Sequence, residues 1–113
     1  MSPISGIAQS GLSAAATQLG VSAQNVANTL TAGFVPYRVD LAEAAGGGVT
    51  ATVSRPADPT AEARADRALL AVSGTDLVTE MVAQHQAAAA YRANLATLRT
   101  AIELQDEVLK LKP

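Results

Sequence analysis

The sequence contains no cysteine, so neither a disulfide framework nor a thiolate metal site is open to it. This leaves the redox compartment undetermined, although it suits a protein that passes through an oxidising space. Aromatic residues make up only 3% of the chain, and much of its 49% hydrophobic fraction is alanine, which buries little area per side chain. Close helix contact is therefore favoured over a bulky core. Charge is also scarce: eight Lys or Arg and ten Asp or Glu residues leave a net charge of -2. The basic residues are dispersed and give no electrostatic footprint for a phosphate backbone or anionic lipid, so nucleic acid is not an expected partner. No run reaches the ~18 apolar residues of a membrane span, and "MSPISGIAQSGLSAAATQLG" lacks the basic n-region and continuous apolar core of a secretory signal. Direct membrane insertion is not expected; the chain is soluble or leaves the cell by another route.

At 113 residues the chain is one domain by size, and an elongated one has a modest core, so part of its stability is expected from partners. Ser2 followed by Pro3 predicts an N-cap and a first helical position. Leu12, Leu19 and Val26 then recur seven apart, with Ile4, Ile7, Ala15 and Leu30 near the same stripe and Gly33 as the stop, predicting a helix over about residues 3–31. Gly11 and Gly20 each cost such a helix roughly 1 kcal/mol relative to alanine, and they let another backbone come close. "VPYRVDL" and "VTATVS" between Val35 and Ser54 are β-prone and separated by "AEAAGGG", which predicts an irregular hairpin. Asp58 with Pro59 offers a cap for a short helix to about Leu70.

"SGTD" at 73–76 offers Ser73 or Thr75 as an N-cap, with Asp76 in the first turn where the helix dipole favours an acid. From there Met81, Ala88, Leu95, Ile102 and Leu109 are seven apart, with Leu77, Tyr91 and Leu98 at the companion heptad position and Lys110 and Lys112 at the C-terminal end. Some 35 helical residues extend about 50 Å, too long for a compact globule of this size to cover. The expected fold is mainly α: two long terminal helices pairing as an antiparallel coiled-coil-like hairpin around a short β-hairpin or loop. Residues 1–34, 35–72 and 73–113 are its three parts, together one structural domain. The helix-packing seam is expected to consist of Leu12, Leu19, Val26, Leu77, Met81, Leu95, Leu98, Ile102 and Leu109.

No catalytic, cofactor or metal site is expected. His85 is the single histidine and has no serine, cysteine or acid at the spacing a nucleophile or metal site requires; it reads as structural or solvated. "GGG" at 46–48 lacks the lysine and strand-to-helix context of a phosphate loop and reads as a turn. Glu103, Asp106 and Glu107 form an acidic cluster, but Lys110 lies three and four residues from two of them, the mark of a solvated, partly paired face.

The least ordinary stretch is "NVANTLTAGF", residues 25–34. Asn25, Asn28 and Thr29 fall within the last two predicted helical turns, where amides and hydroxyls satisfy orphan carbonyls or bind a neighbour's backbone. Gly33 permits a left-handed exit and Phe34 anchors the strand that follows. Taken with what precedes it, "SGLSAAATQLGVSAQNVANTLTAGF" (residues 10–34) resembles the N-terminal signature of the axial proteins of the bacterial flagellum: rod, hook and hook-associated proteins. "SGTDLVTEMVAQHQAAAAYRANLATLRTAIEL" (residues 73–104) resembles their C-terminal signature, and "VDLAEAAGGGVTATVSRPADP" resembles the linking segment of the small rod proteins. The chain is shorter than a typical rod subunit, "TLTAGF" replaces the more usual Thr-Pro-Gly or Thr-Thr-Gly pattern, and the tail "EVLKLKP" is unusual, so the resemblance is to a small, divergent member.

The resemblance implies a non-enzymatic structural subunit of the flagellar basal-body rod, which spans the periplasm, polymerising through its terminal helices with other rod subunits. It also implies export by the flagellar type III apparatus without a cleaved signal peptide. The implied assembly motif is Asn25, Asn28, Thr31, Gly33 and Phe34 with Asp76, Leu77, Glu80, Met81, Val82, Tyr91, Asn94 and Leu95. An alternative from another class is a cytoplasmic helical adaptor, or a non-rod paralogue, that binds partner helices through the same heptads.

Overall fold

The first helix, α1, begins where Ser2 and Pro3 predict it. In a computed structural model, which describes residues 2–56 and 73–111, the Ser2 side chain accepts the Ser5 amide N–H at 3.3 Å and α1 runs over Pro3–Ala27. It ends earlier than the expected Thr31, because the polar side chains after Gln24 take over the helix hydrogen bonds. The Asn28 amide donates to the Gln24 carbonyl at 2.9 Å and the Thr29 hydroxyl to the Val26 carbonyl at 2.7 Å. A run of tight turns follows, and Gly33, at φ 72°, makes the left-handed exit before Phe34.

Two strands come next: β1, Arg38–Glu43, and β2, Val49–Ser54, paired antiparallel from Arg38 opposite Ser54 to Glu43 opposite Val49. The loop between them carries three successive glycines, Gly46, Gly47 and Gly48, all at positive φ, a conformation that side chains disfavour. β1 starts three residues later than the β-prone run. Pro36 has no N–H to donate, and both backbone groups of Tyr37 are bonded to Asn25.

The second long helix, α2, spans Leu77–Lys110. Its cap is Asp76 itself, rather than Ser73 or Thr75: the carboxylate accepts the Val78 and Thr79 amides at 3.0 and 3.3 Å. Thr75 is occupied elsewhere, its hydroxyl donating to the Asn25 carbonyl at 3.1 Å. The expected short helix from Asp58 to Leu70, and Lys112, lie outside the described residues.

The two helices lie side by side and antiparallel, with the β-hairpin folded back along α1. The Ser10 hydroxyl accepts the Val49 amide N–H at 3.1 Å, which fixes the hairpin's far end. The whole measures 73 × 25 × 14 Å, so the expected mainly helical hairpin with a short β segment is what forms.

The helix seam is built from small side chains. Ser5, Ala8, Ala15, Ser22 and Asn25 of α1 are buried, as are Ala87 and Ala101 of α2. The leucine stripes lie beside this seam instead of in it: Leu12, Val26, Leu95 and Leu98 are half-buried, while Leu19, Leu77, Met81, Ile102 and Leu109 are exposed. One residue along a helix is about 100° around it, so Leu12 points to the flank when Gly11 faces α2. Among the described residues, no helix is long and apolar enough to cross a membrane.

The Thr79 amide, with that of Val78, holds the Asp76 carboxyl below its ordinary value. A depressed pKa stabilises the cap above the unfolded value, and that contribution is lost as pH falls through the folded one. Lowering the pH from about 5 to about 2 is expected to reduce amide-exchange protection at Val78 and Thr79. Asp76→Asn, which still accepts but does not titrate, is expected to flatten this dependence.

Candidate functional site

Asn25 sits in the last turn of α1 with 1% of its surface exposed, the largest of the fully buried side chains. Its amide nitrogen donates to the Tyr37 carbonyl at 2.9 Å and to Glu80 Oε1 at 2.8 Å, and its amide oxygen accepts the Tyr37 N–H at 2.8 Å. The side chain thus stands in for a strand neighbour at Tyr37 and joins the end of α1 to the first turn of α2. Ser22, one turn earlier, donates its hydroxyl to the Glu80 carbonyl at 3.1 Å. Gly74 donates its N–H to the Phe34 carbonyl at 2.9 Å. The Phe34 and Tyr37 rings lie 6.3 Å apart, with the Arg55 guanidinium 4.7 Å over Tyr37, a cation–π contact that ties the end of β2 to the same junction.

Every buried side-chain polar atom among the described residues has a partner. The junction therefore holds the end of α1, the start of β1 and the first turn of α2 together. A polar cleft of about 230 Å³ opens beside it, lined among others by Gln18, Asn25, Tyr37, Asp40, Glu80 and Gln86. Among the described residues no three His, Cys, Asp or Glu side chains are grouped to hold a metal, and His85 is exposed on α2.

The residues of the implied assembly motif occupy four places. Asn25 and Glu80 meet at the junction, with Phe34 beside them and Asp76 capping α2 one turn before Glu80. Asn28, Thr31 and Gly33 shape the exit from α1; the Thr31 hydroxyl bonds Asn28 Oδ1 at 3.0 Å on the surface. Asn94 lies mid-seam against Gly11, and its amide donates to the Ala90 carbonyl at 2.9 Å. Tyr91, 43% exposed, stands with Leu19, 44% exposed, along a groove on the flank away from the β-hairpin.

That groove, about 460 Å³, is almost wholly apolar, floored by Ala15, Ala16, Ala87 and Ala88 beside Gly20. Leu19 and Ala88 both line it, so the seven-residue stripes they belong to, Leu12–Leu19–Val26 and Met81–Ala88–Leu95–Ile102–Leu109, share one flank of the helix pair. The β-hairpin covers the opposite flank of α1, where Ile7 and Ser10 approach Gly47 and Gly48.

The sequence does not single out Ser22 or Tyr37, and it offers Thr75 only as an N-cap. Ser22 had a visible signal, since Ala8, Ala15 and Ser22 repeat at seven residues; the Tyr37 and Thr75 contacts use backbone groups at one end, which no residue type advertises. No family model matches the chain, and no curated protein matches it either.

Replacing Asn25 with alanine strands the part-buried backbone groups of Tyr37 and should cost about 2–4 kcal/mol of unfolding free energy in denaturant titrations. Asn25→Asp should be at least as damaging at neutral pH, because it sets a second carboxylate against Glu80. Its loss should shrink as pH falls, since a carboxyl pKa raised in the folded state leaves stability present only on the acid side. A benign Asn25→Ala would mean that the junction does not hold the fold.

Proposed function

We propose that this chain is a structural subunit of the bacterial flagellar basal-body rod, polymerising through its terminal helices with further copies and with other rod subunits. An uncovered apolar flank carries the proposal. Leu19 and Tyr91 remain exposed along an open alanine-floored groove and Met81, Ile102 and Leu109 remain exposed on α2, whereas the seam within the chain is made of small side chains. An exposed apolar groove of this kind marks an interaction site, and helices that expose seven-residue stripes are suited to pairing with other helices. The resemblance of residues 10–34 and 73–104 to the two signatures of flagellar axial proteins supplies the kind of assembly. The bond between Asn25 and Glu80 supports it further, because it joins one residue from each stretch. In this role the terminal helices do the work of a wall element, no catalytic group is used, and the chain reaches the rod through the type III export apparatus.

Leu19→Asp and Leu95→Asp test the flank. Burying an unpaired carboxylate there on assembly costs several kcal/mol on top of ~1.5–3 kcal/mol of lost apolar burial. Incorporation into purified basal bodies should fall more than about 100-fold, while the secreted amount stays unchanged. His85→Ala should behave as wild type in both fractions. Normal incorporation of both aspartate variants would overturn the proposal, and a wild-type chain found only in the cytoplasm would favour the helical adaptor.

A further inference from the structure

The seam raises a question that its composition does not answer, namely what fixes the alignment of two helices whose contacts are mostly alanine. On α1 the buried positions Ala8, Ala15 and Ser22 repeat every seven residues, and on α2 the buried Ala87 and Ala101 flank the half-buried Asn94 at the same spacing. Sliding one helix by seven residues moves it about 10 Å and returns small side chains to small side chains. Hydrophobic burial alone therefore discriminates poorly between alignments.

Two points break the degeneracy. A Cβ at Gly11 would lie 2.5 Å from Asn94 Cγ and 2.6 Å from Asn94 Nδ2, far inside contact distance. Any residue but glycine is thus incompatible with the Asn94 amide where it stands, held along its own helix by the bond to the Ala90 carbonyl. The second point is the bond of Asn25 to Glu80. Gly11 and Asn25 are fourteen residues apart on α1, and Glu80 and Asn94 are fourteen apart on α2, so both pairs are satisfied together in one antiparallel alignment. A slip of seven one way sets Asn94 against the longer Gln18 and carries Glu80 past the end of α1. A slip the other way sets Asn94 against Ile4 and Glu80 against Gln18, leaving Asn25 without its carboxylate. The adjoining Gly20 has open space around it and plays no such part.

We propose that Gly11 and Asn94, acting with Asn25 and Glu80 two heptads away, form a register lock that selects the alignment of the terminal helices. The lock concerns one chain and is independent of the polymer proposed above. The absence of cysteine makes it directly measurable: Gln24→Cys and Glu103→Cys, both exposed, take spin labels whose separation reports the offset of α2 along α1.

The parent should give one distance. Gly11→Ala, which by helix propensity alone should stabilise α1, should instead lower the helix melting temperature by about 4–8 °C, and Asn94→Ala in that background should restore it. Asn94→Ala alone should add a second distance population, displaced by up to about 10 Å, one heptad. If Gly11→Ala does not fold, the double variant and the single Asn94→Ala still carry the test. A Gly11→Ala chain as stable as the parent would overturn the lock. So would an unshifted single distance in Asn94→Ala, which would reduce that residue to a steric contact.

Discussion

The chain changes direction twice within a short distance of Asn25, and the amide of that one side chain governs both changes. It closes the end of α1 against Tyr37, where β1 is about to begin, and it reaches Glu80 in the first turn of α2. An amide donates and accepts at once, which a carboxylate or a hydroxyl of similar size cannot do in the same geometry. Because the group is buried, its bonds are made in a low-dielectric setting where leaving any of them unmade is costly. The Thr75 hydroxyl on the Asn25 carbonyl and the Ser22 hydroxyl on the Glu80 carbonyl extend the same junction.

Polar bonds carry this weight because the apolar seam is thin. Among the described residues the buried hydrophobic ones are five alanines and Val35, and an alanine contributes little transfer free energy. What the alanines provide is proximity: helix axes come close, and the single glycine of the seam faces an asparagine. Larger side chains could not occupy the seam without pushing the helices apart, so the leucines stand to one side.

Two unlike flanks result. One is covered by the β-hairpin, which is attached at its far end through Ser10 and at its near end through Tyr37 and Arg55. The other keeps Leu19 and Tyr91 exposed along the alanine-floored groove, with Met81, Ile102 and Leu109 exposed on α2. A two-stranded sheet is marginal by itself, and here it gains a surface to lie on. A subunit of a helical wall would use this asymmetry, with one flank of α1 covered by the hairpin and the other left for neighbours.

Much of this was legible in the residues. Ser2–Pro3 set the start of α1, seven-residue spacing marked two long helices, the glycine triplet marked the hairpin turn, and Asn25 stood out as polar where a helix should close. These are local features, dictated by capping, periodicity and backbone freedom, and they depend on neighbours in sequence. Which stripe faces inward was not local. Leu12, Leu19 and Val26 and the smaller Ala8, Ala15 and Ser22 share one period, and periodicity is blind to the rotation of about 40–60° that separates them. The choice fell to the close approach of the two helices, at which Gly11 meets Asn94 and Asn25 meets Glu80. Those partners are more than fifty residues apart in the chain. A side chain's need for a hydrogen-bond partner can be seen in sequence, but which partner answers it is decided only when the chain has folded.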